Sequence, residues 1–297
     1  RNINLNDTLH IDSELNLLAD QNDSGEGAIT TQGDIVTGGN DVKLRSAGLE
    51  ISNIIDVGAG TLTLESSAGG SIGLGTYSDP GVVFELSNNE LELLTASILN
   101  VGDSTSGDIF VKGVSSEAST KISGMTNLYA SKDGKTVSFL DEDSTFNQLN
   151  VVADDGIIIT SDLTTLTGDL LLEADNDGFA DSLDSIQFSD GISINSAGSL
   201  QLDATIGKIT GAGDLSLVAA NELRINDSIT TDGATYIDIQ GENELGDLNL
   251  ISGVNLSTQG HNLEIRANDI NLDGLLEASA TKLLSSHEGS IGVGAAI

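Results

Sequence analysis

Apolar and polar positions alternate along most of the chain with a period of two. Runs such as Leu62-Thr63-Leu64 and Leu215-Ser216-Leu217 place one polar residue between two aliphatic residues. This alternation predicts short strands with one buried face and one exposed face. Turn dipeptides, among them Gly60-Thr61 and Gly213-Asp214, precede many of the runs. Because glycine and aspartate accommodate tight corners, the pattern indicates many short strands joined by turns, and therefore an all-β protein.

The number of predicted strands favours one all-β fold over the others. A sandwich or a closed barrel uses about seven to ten strands, and the pattern offers more than that. Aromatic residues make up only 3% of the 297 residues, which suits a narrow core of Leu, Ile and Val. We therefore expect residues 1–297 to form one continuous parallel β-solenoid with coils of irregular length. An array of β-sandwiches is the alternative.

One segment departs from the period of two. Ser87 is followed three residues later by Glu90 and then by apolar residues at helical spacing. A serine and a glutamate at this distance form a capping box, in which each side chain accepts a hydrogen bond from the other residue's backbone N–H. The segment predicts one short helix near residues 87–96, which lies against the solenoid or crosses a corner.

The chain contains a long internal repeat. The sequence ESSAGGSIGLG at residues 65–75 recurs as LSSHEGSIGVG at residues 284–294, 219 positions later. The repeat extends to residues 36–45 and 257–266, which are 221 positions apart. Repetition at this distance, with finer strand periodicity inside it, predicts a super-repeat of about 220 residues.

The expected boundaries of the super-repeat suggest which partners the chain has. One unit covers roughly residues 34–254, and residues 255–297 begin the next. The sequence starts with Arg1 rather than Met, as expected of a fragment or a processed piece, and neither end shows a polar capping element. Since an uncapped solenoid exposes strand edges, we expect neighbouring repeats, or copies of the chain stacked end to end, as partners.

Charge restricts the partners further. The chain carries 46 acidic and 11 basic residues, which gives a net charge of −35. Such a chain repels nucleic acids, so they are excluded as partners. The sequence has no cysteine and no apolar run of membrane-spanning length. Neither a disulfide framework nor insertion into a membrane is therefore expected.

An acidic loop is the best candidate for ion binding. Residues 173–184 carry oxygen ligands at the first, third, fifth, ninth and twelfth positions and Gly178 at the sixth, which is the spacing of a calcium loop. The glutamate at the first position and the short aspartate at the twelfth depart from the usual pattern, and a solvated acidic loop is the alternative. Calcium is the only cofactor that we predict. The candidate metal ligands are Glu173, Asp175, Asp177, Asp181 and Asp184.

Longer phrases are similar to a known class of proteins. They include GTLTLESSAGGSIGLG, SAGSLQLDATIGKITGAGDLSLVAANELRINDSITTDGAT and NLEIRANDINLDG. Nearly the whole chain resembles the long repeats of giant bacterial surface proteins described as filamentous-haemagglutinin-like or adhesin-like. The resemblance implies a right-handed parallel β-helix, secretion to the cell surface, and an extracellular role in cell adhesion or as a scaffold. It supplies no catalytic residues.

Polysaccharide-degrading enzymes also use β-helices, and they are the enzymatic alternative. A lyase needs a basic residue beside metal-held uronates, and a hydrolase needs paired carboxylates in a sugar-binding groove. Basic residues are sparse, acidic pairs occur throughout the chain, and nothing marks His10, His261 or His287 as part of a catalytic triad. We therefore expect no enzymatic activity and name no catalytic or cofactor-binding residues.

Two non-enzymatic functions remain. In the first, the chain is a binding module of an adhesin that contacts a glycan or a protein of a host or neighbouring cell. The candidate binding patches are the loop with Tyr77, Pro80 and Phe84 and the segment 125–146 with Tyr129, Phe139 and Phe146, although core filling explains most of these rings. In the second, the chain is a stalk, sheath or self-assembling filament. We expect an adhesin-type surface scaffold, since repetition favours a load-bearing structural role.

Overall fold

The computed structural model describes residues 1–180, 182–241, 246–286 and 289–293. Strands make up 49% of the structure and helices 3%, and long parallel β-sheets are stacked in a solenoid-like arrangement. The expected all-β solenoid class is therefore confirmed. Contacts within the chain define two compact units, Arg1–Asp154 and Asp155–Ile297, called here the first and second unit. The continuity of one solenoid over the whole chain and the super-repeat boundaries stay predictions.

The first unit consists of short strands and two one-turn helices. In chain order its elements are β1 (Ile3–Leu5), β2 (Leu9–His10), β3 (Leu15–Leu18), β4 (Ala28–Thr31), β5 (Ile35–Val36), β6 (Val42–Ser46), β7 (Gly48–Ile51), β8 (Ile55–Asp56), β9 (Thr61–Ser66), β10 (Ile72–Gly75), β11 (Phe84–Ser87), α1 (Asn88–Leu91), β12 (Leu94–Thr95), β13 (Ile98–Gly102), β14 (Ile109–Lys112), α2 (Ser116–Ser119), β15 (Met125–Ala130), β16 (Val137–Phe139), β17 (Ser144–Phe146) and β18 (Gln148–Ala153).

Parallel ladders join the strands of the first unit. The longest runs through β3, β6, β9, β13, β15 and β18. Shorter ladders join β1, β4 and β7, join β2, β5, β8 and β12, and join β11, β10, β14 and β16. Each ladder connects strands from successive coils, as a solenoid requires.

The second unit contains only strands among its described residues. In chain order they are β19 (Ile157–Ile159), β20 (Leu163–Thr165), β21 (Leu170–Glu173), β22 (Ile186–Phe188), β23 (Ile192–Ser196), β24 (Leu200–Asp203), β25 (Ile209–Gly211), β26 (Leu215–Ala219), β27 (Glu222–Ile225), β28 (Ile229–Thr231), β29 (Thr235–Ile239), β30 (Asp247–Leu250), β31 (Asn255–Ser257), β32 (Asn262–Ala267), β33 (Ile270–Leu272), β34 (Leu275–Glu277), β35 (Ala280–Ser285) and β36 (Ile291–Val293).

Three parallel ladders run side by side through the second unit. One joins β19, β22, β25, β28, β31 and β34. The second joins β20, β23, β26, β29, β32 and β35. The third joins β21, β24, β27, β30, β33 and β36. Each described coil therefore contributes one strand to each of three faces.

Inward positions of successive coils form aliphatic columns. In the third ladder, Leu170 is in register with Leu200, Leu200 with Leu223, and Leu223 with Leu248. All four side chains are at most 1% exposed. Full burial of such a side chain stabilises the fold by about 1.5–3 kcal/mol. The alternating sequence pattern therefore becomes a continuous core, because every second residue of each strand points inward and is in register with an inward residue of the next coil.

Aspartates at the corners connect one coil to the next. The Asp41 carboxylate accepts a hydrogen bond from the Thr61 N–H at 2.7 Å, and the Asp214 carboxylate accepts one from the Ala234 N–H at 2.8 Å. Hydrogen bonds from Ser290, donated by its backbone N–H and its hydroxyl, lower the pKa of the Asp269 carboxyl. Each carboxylate accepts a hydrogen bond from a backbone N–H at a sharp corner, where the strand ladders provide no acceptor. Part of the acidic composition thus has a structural role.

The predicted capping box is present in the structure. The Ser87 hydroxyl accepts a hydrogen bond from the Glu90 N–H, and the Ser87 N–H donates one to the Glu90 carboxylate at 2.9 Å. Helix α1 nevertheless ends at Leu91, earlier than the predicted segment 87–96. The cause is tertiary: Leu94 is fully buried and pairs with Ile55 in a parallel ladder, so the chain returns to strand β12.

The two segments that carry the sequence repeat form equivalent ladders. Strand β6 pairs with β3 before it and β9 after it, and strand β32 pairs with β29 before it and β35 after it. Lys43 of β6 and Glu264 of β32 are equivalent in the sequence alignment. The strand registers then make Asn16 equivalent to Tyr236 and Thr63 equivalent to Lys282. We call these segments the first and second copy.

Candidate functional site

The predicted calcium loop follows strand β21, and its central aspartate is buried. Asp175 is 1% exposed. One of its carboxylate oxygens accepts a hydrogen bond from the Gly178 N–H at 2.9 Å, and the other accepts one from the Ile206 N–H at 2.9 Å. Asp177 accepts a hydrogen bond from the Phe179 N–H at 2.8 Å. Asp175 therefore holds its own loop and ties it to a residue that follows strand β24.

Glu173, the first predicted ligand, lies beside another carboxylate. It is in register with Asp203 of the neighbouring strand. Burial, followed by the charge of Asp203, raises the pKa of Glu173 to about 7. Its carboxylate accepts hydrogen bonds from the Asp175 N–H at 3.3 Å and the Thr205 hydroxyl at 3.4 Å. Glu173 therefore retains its proton to a higher pH than an ordinary glutamate does.

A third acid extends this group of carboxyls. Burial raises the pKa of Asp227, and the charge of Asp203 acts in the same direction, although a hydrogen bond from the Ala204 N–H opposes both. Asn226 donates its side-chain amide to Asp203. A carboxyl with a raised pKa beside an ionised one is also what a glycoside-cleaving enzyme requires. The hydrogen bonds to backbone donors give these acids a structural role in the corner that they share.

The remaining two predicted ligands are farther along the loop. Asp184 is 6% exposed and has a φ of 45°, two residues before strand β22 begins. Asp181 lies outside the described residues. Within the described ranges, no group of three or more His, Asp or Glu side chains is arranged to hold a metal ion. Calcium binding by this loop stays a prediction.

The aromatic rings divide into core and surface groups. Phe84 and Phe139 are fully buried and Phe146 is 3% exposed, so these rings fill the core as the sequence suggested. Tyr77 and Tyr129 are only half-buried. Tyr77 stacks on Phe110 with ring centroids 4.9 Å apart and an interplanar angle of 12°.

Gly73 makes room for the Tyr77 ring. A Cβ atom at position 73 would lie 2.7 Å from Cδ1 of Tyr77, which real side chains do not tolerate. The glycine in the repeated phrase SIGLG therefore permits an aromatic pair on the outer surface of strands β10 and β14. This stacked pair covers the strands rather than forming a groove.

A groove lies beside Tyr236 on the outer face of the ladder β23–β26–β29–β32. It has a volume of about 330 Å³, within the lower range of small-molecule sites. The lining combines small residues, including Gly191, Ser216 and Ala234, with Tyr236 and the acidic residues Asp214 and Glu264. The full lining is Gly191, Ile192, Asp214, Leu215, Ser216, Ala234, Thr235, Tyr236, Asn262 and Glu264. We call this the Tyr236 groove.

Hydrogen bonds and ion pairs fix the rim of the Tyr236 groove. The Tyr236 hydroxyl donates to the Asp238 carboxylate at 3.1 Å, and the Arg266 Nε atom lies 3.9 Å from the same carboxylate. Lys282 pairs with Glu264 at 2.9 Å. Burial, followed by the hydrogen bond to Asp238 and its charge, raises the pKa of Tyr236. The phenol is therefore neutral at physiological pH, and its ring remains 37% exposed.

The sequence did not identify this groove as a site. Alternation in the run Thr235–Ile239 places Tyr236 on the outer face, and this is the only signal that the sequence offered. Asp214 appeared there only as part of a turn dipeptide. The groove forms because the ladder register brings residues 191, 214, 234 and 262 side by side, and register between coils of unequal length is not visible in the sequence.

The fold and the site define a parallel β-solenoid with an acidic exterior and a shallow groove on one face. No protein-family model, curated protein or solved structure matches the chain. In the described part of the chain, neither helix is long and apolar enough to cross a membrane.

Proposed function

We propose that the chain is a non-enzymatic, load-bearing segment of an extracellular bacterial surface protein, with adhesive contacts on its outer face. The observation that carries this proposal is the pairing of coils through several ladders at once. The coil with β25, β26 and β27, for example, is joined to the next coil by three parallel ladders. Separating two such coils along the stacking axis requires these hydrogen bonds to break together.

The surface supports the extracellular part of the proposal. The similarity of the sequence phrases to adhesin-like repeats points to the bacterial cell surface. A net charge of −35 keeps such a chain soluble and discourages lateral association with its own copies. The corner aspartates show that this charge is compatible with the fold, because several of them satisfy backbone donors between coils.

Single-molecule pulling on the two ends of the chain tests the load-bearing role. We expect a series of small unfolding steps, each releasing about 20–30 residues, or roughly 7–10 nm of extended chain. The spacing of coils supports this range, since Leu215 is in register with Thr235 and Leu170 with Leu200. Leu217 is fully buried, and Leu217→Asp is expected to remove the steps around it. A single extension at low force would contradict the proposal.

Labelling of intact source cells tests the location. An antibody against the chain is expected to bind unpermeabilised cells, and external protease is expected to remove the signal. A cytoplasmic protein labelled in parallel controls for cell integrity. Labelling that requires permeabilisation would exclude the extracellular assignment.

A further inference from the structure

We propose that the Tyr236 groove binds a guanidinium or ammonium side chain presented by a basic segment of a partner protein. This inference rests on the adhesive half of the proposed function and names the chemistry of the partner. The load-bearing half does not depend on it.

The Tyr236 ring lies on the outward face of its ladder. Tyr236 is in register with Ser216 on one side and Glu264 on the other. Ser216 is small, so the ring is not covered from that side, and Tyr236 is 37% exposed. Its hydroxyl donates a hydrogen bond to Asp238, which orients the ring; the Asp238 carboxylate also pairs with Arg266 at 3.9 Å. An exposed tyrosine face attracts a cation with about 0.5–1 kcal/mol.

Two carboxylates lie in the groove with the ring. Asp214 and Glu264 both line the groove. The hydrogen bond from the Ala234 N–H to Asp214 holds that carboxylate at the edge of the groove. Glu264 is shared with Lys282, whose ammonium lies 2.9 Å away and is 59% exposed. A guanidinium has enough donors to bind one carboxylate while its plane stacks on the ring.

The charge of the whole chain favours a basic partner over a longer range. The chain has a net charge of −35, which attracts a basic partner and accelerates its association. An anionic ligand would have to approach Asp214 and Glu264 against this field. A neutral saccharide would also stack on a tyrosine, but nothing in the charge of the groove favours it.

The first copy of the repeat has different residues at the positions of the ring and the acid. Asn16 and Lys43 stand where the second copy has Tyr236 and Glu264. The first copy therefore lacks the ring and places a cation where the second copy has an acid. The groove is a feature of one copy, whereas the solenoid core is shared by both.

Binding of a peptide with three Arg-Gly pairs, blocked at both ends, tests the proposal. Calorimetry on the full chain compares this peptide with the same peptide containing neutral citrulline in place of arginine. The salt concentration is about 0.15 M, at which surface charges are partly screened. We expect the arginine peptide to bind more tightly and to lose affinity at higher salt. Equal affinity for the citrulline peptide would overturn the proposal, as would salt-independent binding of cellohexaose in its place.

Variants separate the groove from the general charge of the chain. Tyr236→Asn introduces the residue of the first copy and is expected to weaken peptide binding by about two- to fivefold. Tyr236→Phe retains the ring and is expected to preserve the affinity. Ile251→Asn, which removes a 51% exposed side chain of the second unit that does not line the groove, is the matched control and should have no effect. Equal effects of Tyr236→Asn and Ile251→Asn would mean that charge alone attracts the peptide, and would overturn the proposal.

A second variant keeps the test independent of folding. Asp214→Asn removes a charge but retains an oxygen that accepts the hydrogen bond from Ala234. It is therefore expected to fold and to bind the arginine peptide about two- to fivefold more weakly, as loss of one exposed charge contact predicts. Unchanged affinity of a folded Asp214→Asn variant would also count against the groove. The pulling experiment uses no ligand, so failure of peptide binding leaves the load-bearing role intact.

Discussion

Strand β6 contains Val42, Lys43 and Leu44, and strand β32 has Leu263, Glu264 and Ile265 at the equivalent positions. The inward residues of both strands are at most 1% exposed. They have changed from one aliphatic residue to another. The residue between them has changed from a base to an acid. The two copies therefore share their core and differ at their surface.

The outward columns show how far this difference extends. In the first copy, Lys43 and Arg45 both lie near Glu65, at the centre of a network of ion pairs. In the second copy, Leu284 stands where the first has Glu65, and a groove forms beside Tyr236. Inward positions are restricted to residues that fill a narrow column, whereas outward positions accept ion pairs, rings or grooves. The scaffold and its surface can thus be tested separately.

The largest expected effect comes from a charge in the shared core. Leu44 and Ile265 are fully buried at equivalent positions, and Leu44→Asp and Ile265→Asp each place an unpaired carboxylate there. We expect either change to lower the free energy of unfolding of its unit by at least about 4 kcal/mol. Hydrogen exchange of peptides from each unit measures the loss locally.

The outward neighbours provide the control for these two variants. Asn16→Asp introduces an aspartate on the exposed face of the first copy, in register with the cationic Lys43, and Glu264→Asp retains a carboxylate on the outward face of the second copy. Both variants are expected to leave exchange of the core amides close to that of the parent. If the core amides of Leu44→Asp were as protected as those of Asn16→Asp, the inward assignment of the first copy would be wrong.

The inward face was the part of the structure that the sequence could predict. Alternation alone places Leu44 and Leu217 inside, because a strand has a period of two whatever its partners are. The capping box at Ser87 and Glu90 was visible for the same reason: its hydrogen bonds are local. Helix α2 was missed, since its N-cap Ser115 begins a single turn with no apolar period.

The outer surface could not be predicted in the same way. Asp175 has the spacing of a calcium ligand, yet one of its oxygens accepts a hydrogen bond from Ile206, 31 residues away. The groove beside Tyr236 likewise depends on residues from four strands. These contacts depend on the register between coils of different length, which local sequence patterns do not encode.

Two acidic residues, Glu173 and Asp203, are in register on the outward face of neighbouring strands. The folded-state pKa of Glu173 is about 7, against 4.5 for an unperturbed glutamate. Between these values the unfolded chain binds fewer protons than the folded one, so the free energy of unfolding falls as pH rises from 4.5 to 7 and then levels off. Glu173→Gln should remove this dependence and stabilise the second unit by roughly 1–2 kcal/mol at pH 8, after allowance for solvent screening.

Denaturant unfolding between pH 4 and pH 8 measures this effect. Glu264→Gln is the matched control, because Glu264 is paired with Lys282 rather than stacked on another acid. It is not expected to stabilise the unit. A parent whose stability does not decline across this pH range would show that burial and the charge of Asp203 do not raise the pKa of Glu173 in the folded state.

The hydrogen bonds at the corners are expected to contribute less to the free energy of unfolding than the changes above. Asp41 accepts a hydrogen bond from the Thr61 N–H, and the equivalent residue of the second copy is Asn262. Asp41→Ala should lower the free energy of unfolding of the first unit by about 1 kcal/mol, as loss of a cap to a backbone donor does. Asp41→Asn keeps an acceptor and should lose less. Equal losses in denaturant unfolding would mean that the charge, and not the acceptor, matters at this corner.

The smallest effect is expected where the two copies differ most. Asn16 is exposed, and its side-chain amide donates a hydrogen bond at 2.8 Å to Glu14, the residue just before strand β3. Asn16→Tyr therefore gives the first copy the tyrosine of the second copy without changing the buried residues of the strand. We expect the free energy of unfolding to change by less than about 0.5 kcal/mol. The variant should also gain no affinity for the arginine peptide, because Lys43 occupies the position of Glu264. Ordinary surface substitutions lower the free energy of unfolding by less than about 1 kcal/mol. A larger loss would mean that the fold constrains the outward positions too, and the two copies could not then be divided into a shared core and a freely variable surface.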